Sequence, residues 1–235
     1  MKRRKVLTAF VALAAFFAFA QMAAAYTVTI YQQPGYSSGS GGEFTLATHT
    51  GEGPYLDSVL AFYADSTKNV GNHDPSFQTF CLETSEYFNP GTVYHATLSD
   101  RAIWGGVGPE GDPISMGTAY LYYKFATGTL ANYDYDPAGG RSTAGALQNA
   151  IWMLEGEIAW NPSNMFISYL STTLGWTEDY MKSDANGAYG VMALNLWGSP
   201  ERHQDQLVLV PIPAAVWLFG SGLVGMVAVR RRLQA

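Results

Sequence analysis

The chain of 235 residues carries 13 Lys+Arg against 19 Asp+Glu, a formal net charge of −6, and 48% of its residues are hydrophobic. Seven of the basic residues stand at the two ends (Lys2, Arg3, Arg4, Lys5, Arg230, Arg231 and Arg232), so the body keeps six against all 19 acids and a net charge near −13. Such a surface repels phosphate backbones and excludes nucleic acid as a partner, while leaving calcium and basic partners open.

Met1-Lys2-Arg3-Arg4-Lys5 precedes an apolar run over residues 6–20 and then Ala23-Ala24-Ala25. A basic opening, an apolar stretch and a small-residue site are the parts of a secretory signal peptide, so residues 1–25 are expected to be removed and folding to begin at Tyr26. Residues 26–209 suffice for one domain with its own core. Exported proteins usually pair their cysteines as disulfides, yet this chain has one thiol, Cys81, and no internal disulfide is available to it.

From Tyr26 the chain is rich in β-branched and aromatic residues. Tyr26-Thr27-Val28-Thr29-Ile30-Tyr31 reads as a strand, residues 34–42 as a Gly/Ser loop, and residues 43–48 and 55–64 as further strands. Phe77-Gln78-Thr79-Phe80-Cys81-Leu82 should be another, with Phe77, Thr79 and Cys81 on one face. Asn89-Pro90-Gly91 turns the chain into a strand over residues 92–98.

The period then changes to that of a helix. Met116, Ala119, Tyr120, Tyr123 and Ala126 form a stripe that ends at Gly128. A second helix should open at Ser142 or Thr143, with Ala144, Leu147, Ile151, Leu154 and Ile158 facing the core. Gln148, Trp152 and Glu155 share a flanking face. A third helix is expected from an N-cap at Ser163 through Phe166, Tyr169 and Leu170 to Gly175. Strands return at residues 191–196 and 206–210. The expected fold is α+β: a mainly β, sandwich- or barrel-like domain with an inserted or packed helical segment.

The chain closes with Val210-Pro211-Ile212-Pro213, an uncharged run over residues 214–229, and Arg230-Arg231-Arg232. The run is somewhat shorter than the roughly 20 residues of a relaxed membrane span, and the arginines should stay on the cytoplasmic side. Residues 210–235 resemble the PEP-CTERM sorting signal, with Ile212 where that family has the central Glu between Pro211 and Pro213. The resemblance implies a short transmembrane helix, transient anchoring in the inner membrane, and removal of the tail by an exosortase-type protease. It also implies export to the cell surface or extracellular matrix of a bacterium with an outer membrane. A plain C-terminal anchor is the alternative.

Phe80-Cys81-Leu82 and Leu147-Gln148-Asn149-Ala150-Ile151-Trp152 resemble the two motifs of the bacterial thioester domains at the tips of Gram-positive pili and adhesins, with Leu147 where that family commonly has Thr. The resemblance implies an internal thioester between Cys81 and Gln148 shielded by Trp152, and a target bearing an amine or hydroxyl that couples to it covalently in adhesion or biofilm matrix. The chain would then be no enzyme and need no cofactor. The chemistry needs these residue types, because a cysteine supplies the strongest side-chain nucleophile near neutral pH and glutamine supplies an acyl group with a neutral leaving amine. Glu83, Glu155 and His73 are candidate bases.

Two other readings stand beside it. One is a passive structural or carbohydrate-binding matrix protein with an inert buried cysteine; the other is a hydrolase pairing Cys81 with His73 or His95. Lys68, Lys124 and Lys182 are the lysines of the body, few self-targets for a reactive acyl group. The four histidines, His49, His73, His95 and His203, lack metal-ligand spacing. Asn132 to Asp136 lacks the glycine and the terminal glutamate of a calcium loop, so no metal site is expected.

Overall fold

The computed structural model describes residues 26–38, 41–49, 59–73, 75–103, 111–136, 142–198 and 202–211. The predicted signal peptide, Pro213, the apolar run over residues 214–229 and Arg230 to Arg232 lie outside them. Among the described residues, no helix is long and apolar enough to cross a membrane.

β1 (Tyr26–Tyr31) buries Tyr26, Val28 and Ile30 on one face, while on the other Thr27 and Tyr31 are half-buried and Thr29 is buried. It pairs antiparallel with β4 (Phe44–Thr48) and with β6 (Val93–Ser99). β5 (Ser76–Thr79) adds to β4, and β9 (Val191–Trp197) and β10 (Arg202–Leu209) add to β6. The six-stranded order is therefore β10-β9-β6-β1-β4-β5.

The two strands at the ends of that order meet. Leaving β5, the chain pairs with β10: Leu207 N–H donates to Phe80 O and Leu82 N–H to Asp205 O, both at 3.0 Å, with an antiparallel bridge between Cys81 and Gln206. The ends of the sheet thus meet at this seam in a barrel-like closure, while Lys68 bridges Phe77 on the outer side of β5. The register of β10 shifts between His203 and Gln206, an irregularity of the β-bulge kind that re-aims the side chains around Asp205. Two short ribbons complete the β structure: β2 (Ser37–Ser38) with β3 (Gly41–Gly42), and β7 (Arg101–Ala102) with β8 (Asp112–Pro113).

The helical layer follows in sequence. Ser115 caps α1 (Met116–Ala126) by accepting from Thr118 N–H, α2 runs Ser142–Leu154, and Asn164 caps α3 (Met165–Ser168), which continues as a π turn over Tyr169–Thr173. α4 is the short Glu178–Met181. The fold is α+β with a mainly β framework.

Four local expectations are corrected. Residues 59–64 are not a strand: residues 59–60 are helical and a turn follows. Tyr63 is buried there, its hydroxyl bonded to Tyr122 and accepting from Leu209 N–H. The strand expected over Phe77 to Leu82 ends at Thr79, with an isolated bridge at Cys81, and all six residues are buried because both faces are covered. Of the stripe expected on α1, Ala119 and Ala126 are fully buried, and the large side chains that join them are Leu121, Tyr122 and Phe125, with Thr118. Tyr120 and Tyr123 are half-buried and stack against Trp176 and Tyr189 of an outer aromatic layer. The third helix is capped one residue later than predicted, since the Asn164 carboxamide reaches Phe166 N–H at 2.9 Å.

Candidate functional site

Cys81 sits on the seam and is fully buried, and Gln148, in the middle of α2, is 1% exposed. Helix periodicity alone puts Gln148 beside the core stripe; the β2–β3 ribbon folded against α2 covers it. The carboxamide lies across the backbone of Cys81. Cys81 N–H donates to Gln148 Oε1 at 3.0 Å, and Gln148 Nε2 donates to Cys81 O at 2.8 Å. A second backbone donor, Gly42 N–H, reaches the same Oε1 at 3.3 Å.

Two N–H groups converging on one carbonyl oxygen form the arrangement that stabilises an oxyanion when a nucleophile adds to the attached carbon. The glycines of β3 make it possible. A Cβ on Gly41 would come within 2.6 Å of Gln148 Cγ and 2.7 Å of Trp152 Cη2, so only hydrogen lets the ribbon approach this closely. Gly42 has φ of 110°, a conformation that favours glycine and that aims its N–H at the carboxamide.

The thiol has its own polar neighbour. Gln206 Nε2 donates to Cys81 Sγ at 3.4 Å across the seam. Burial pushes the Cys81 thiol well above its ordinary range, with Glu83 adding to the rise, while the Gln206 contact acts the other way. Two carboxamides thus meet Cys81, Gln148 at its backbone and Gln206 at its sulfur. Gln148 has its carbonyl in the N–H pair, whereas the Gln206 oxygen meets the weak S–H donor at 3.9 Å, so of the two carboxamides Gln148 is the one polarised by backbone donors.

The remaining predicted residues distribute unevenly. Trp152 is half-buried one turn beyond Gln148, packs over Gly41, and its Nε1–H makes no hydrogen bond, so its role there is cover. Glu155 faces the N-terminus of α1, where its Oε1 accepts from Ser115 Oγ at 2.8 Å and Ser115 N–H at 3.2 Å. Burial raises its carboxyl to about 7. Glu83 lies two residues beyond Cys81 and is 2% exposed, with its carboxyl turned toward Glu86 and Asp205. Burial, then Asp205 and Glu86, push it up to about 10.

His73 stacks on Tyr31 with ring centroids 3.6 Å apart and His95 lies against Trp197, so the thiol's neighbour is a glutamine and not a histidine. Pro211 follows β10 and is half-buried. Sequence reasoning missed Gly41, Gly42 and Gln206. The first two act through backbone geometry, and the third is joined to Cys81 only by closure of the barrel.

Proton accounting limits what the site can do. Burial disfavours a free Cys81 thiolate, so any attack on Gln148 Cδ would have to pass the thiol proton on as it proceeds. The acceptor at hand is the carboxamide nitrogen that departs. No family model matches this chain, and neither does any curated protein or solved structure.

Proposed function

We propose that the chain forms an internal thioester between Cys81 and Gln148 and uses it once, to couple covalently to an amine or hydroxyl on a surface or matrix molecule. The observation that carries this reading is the pair of N–H groups, Cys81 and Gly42, on Gln148 Oε1, with the carboxamide laid along Cys81 in a closed site. Cys81 Sγ adds to Gln148 Cδ, negative charge gathers on Oε1 between the two donors, the thiol proton passes to Nε2, and ammonia leaves. An incoming amine then adds to the same carbon under the same donors. The C–S bond breaks, an amide to the target forms, and the proton lost by the amine returns Cys81 to a thiol. Nothing regenerates the acyl group, so the reaction is a single coupling and not turnover.

The buried setting supports this role, because water must be kept from the acyl carbon until an oriented nucleophile arrives. Gly41, Trp152 and the β2–β3 ribbon supply that cover. The terminal segments extend the reading to a protein exported by its signal peptide, anchored briefly through its C-terminal helix, and released by an exosortase-type protease acting near Pro211 to Pro213 onto the cell surface or extracellular matrix.

The test is the intact mass of the purified chain. It should be lighter than the sequence by one ammonia, and Cys81→Ala and Gln148→Ala should each restore the full mass, whereas Gln206→Ala should not. Methylamine should add at Gln148 and release the Cys81 thiol in the same step. A full-mass protein whose Cys81 is alkylated under native conditions would sink the thioester and favour the passive matrix component.

A further inference from the structure

Three carboxylates converge at the seam beside Cys81. One oxygen each of Glu83, Glu86 and Asp205 lie within 4.8 Å of one another, Glu83 and Asp205 buried and Glu86 half-buried. Asp205 is fixed by backbone donors on both oxygens: Oδ1 accepts from Leu196 N–H at 3.1 Å and Oδ2 from Ile103 N–H at 2.8 Å.

Glu83 is the informative member. The residue is 98% buried, and neither carboxylate oxygen has a hydrogen-bond partner among the described residues. A buried carboxyl without a partner is costly in either protonation state, and native proteins satisfy such groups. Its backbone, by contrast, is well held, with Glu83 O accepting from Gln204 Nε2 at 2.6 Å. The chain is thus fixed on both sides of a side chain aimed at two other carboxylates.

We propose that Glu83, Glu86 and Asp205 bind a Ca²⁺ ion that clamps the barrel seam. The donors are all carboxylate oxygens, which suit hard cations and not the soft-ligand metals. Oxygens on opposite sides of Ca²⁺ stand about 4.6–5.2 Å apart, twice its usual bond length, and the observed spread fits within such a sphere. The ion would give Glu83 the partner it lacks and offset the charge of three converging acids.

The position has a consequence for the neighbouring site. Glu83 is two residues beyond Cys81, and Asp205 immediately precedes Gln206, the residue that contacts the Cys81 sulfur. Ca²⁺ would therefore tie the Cys81 segment to β10 directly below the thiol. Binding itself does not rest on the thioester, so the two are separable by experiment.

The experiment compares thermal midpoints of the full chain, stripped with chelator, with and without added CaCl₂ or MgCl₂, together with calorimetric titration of Ca²⁺. Wild type should bind one Ca²⁺ and gain several degrees when Ca²⁺ stands at roughly 100 times Kd, the response expected of a ligand that binds only the folded state. Glu83→Gln should fold and lose that response, Glu86→Gln should weaken binding at least tenfold, and Cys81→Ala should keep it unchanged. Absence of heat and shift at 10-millimolar-scale Ca²⁺ would overturn the proposal, as would full retention of the response in both Glu variants, or an equal response to Mg²⁺. A failure of the Cys81–Gln148 mass loss with Ca²⁺ binding intact would overturn the thioester alone.

Discussion

Two arms of the chain reach Gln148, and they are built alike. One comes from the β2–β3 ribbon: Gly42 donates its N–H to Oε1, and a buried glutamate, Glu43, follows. The other crosses the barrel seam: Cys81 donates its N–H to the same oxygen, and a buried glutamate, Glu83, follows two residues later. The glutamates differ in how they are held. Glu43 Oε1 accepts from Gln78 Nε2 at 2.9 Å, its Oε2 accepts from the Tyr133 hydroxyl, and Gln78 is in turn fixed by Thr45 Oγ1 at 2.6 Å. Glu83 has no such partners. A satisfied polar network fixes one arm from within the protein, while the other is left to be fixed by something added, which is how a site can be both pre-shaped and adjustable.

The largest effect should come from disturbing the satisfied arm. Glu43→Gln replaces an acceptor of two hydrogen bonds with a group that meets at least one donor with a donor, and should lower stability by about 3 kcal/mol. Glu83→Gln in calcium-free buffer should cost far less, since no hydrogen bond is lost. Denaturant midpoints of the two variants measure the contrast directly, and equal losses would mean that the arms are not differently held.

A somewhat smaller effect is expected at the ribbon itself. Gly41→Ala puts a methyl group against Gln148 and Trp152 and should cost about 2 kcal/mol through overpacking. It should also slow ammonia loss, because the carboxamide must move away from its donors. Time-resolved intact mass after refolding is the measurement, and an unchanged rate would show that Gly42 N–H contributes little.

The smallest expected effect lies outside both arms. The Glu155 carboxyl is raised from 4.5 to about 7 by burial, with Asp112 adding to the rise and the Ser115 and Thr118 bonds opposing it. A carboxyl raised in the folded state holds a proton that the unfolded chain has already released, so its contribution falls as pH rises from about 4.5 to about 7 and is level beyond. Glu155→Gln should flatten that part of the stability profile, measured as denaturant midpoints across this window, and leave the thioester mass loss untouched. An identical slope in both proteins would remove Glu155 from the account.

How much of this is legible in the sequence follows from what each residue contributes. Cys81 and Gln148 can be read from the chain because a thiol and a carboxamide announce their chemistry by side chain, each within a short motif. Tyr26 to Tyr31 and the core of α2 are legible because their apolar periodicity survives in the fold. Gly41 and Gly42 read only as part of a loop, since what they give the site is an N–H group and the absence of a Cβ. Gln206 and Asp205 are hidden for another reason: they reach Cys81 and Glu83 only when β10 closes the barrel, and a register shift in that strand turns them to face the site. Of the strand expected over residues 55–64, the described part, 59–64, is helix and turn, where tertiary bonds to Tyr63 outweigh a β-rich composition.

Seam closure also sets a rule of assembly. Gly42 and the Cys81 backbone hold the Gln148 carboxamide, Gln206 contacts the Cys81 thiol, and Gln206 lies in the final described strand. Long-range pairing of this kind forms late, after the intervening chain has been ordered. A chain interrupted before β10 would carry both reacting residues but no barrel to enclose them. Enclosure of Cys81 and Gln148 is thereby tied to completion of the whole domain, so a partly made or partly unfolded molecule would leave both side chains open to solvent.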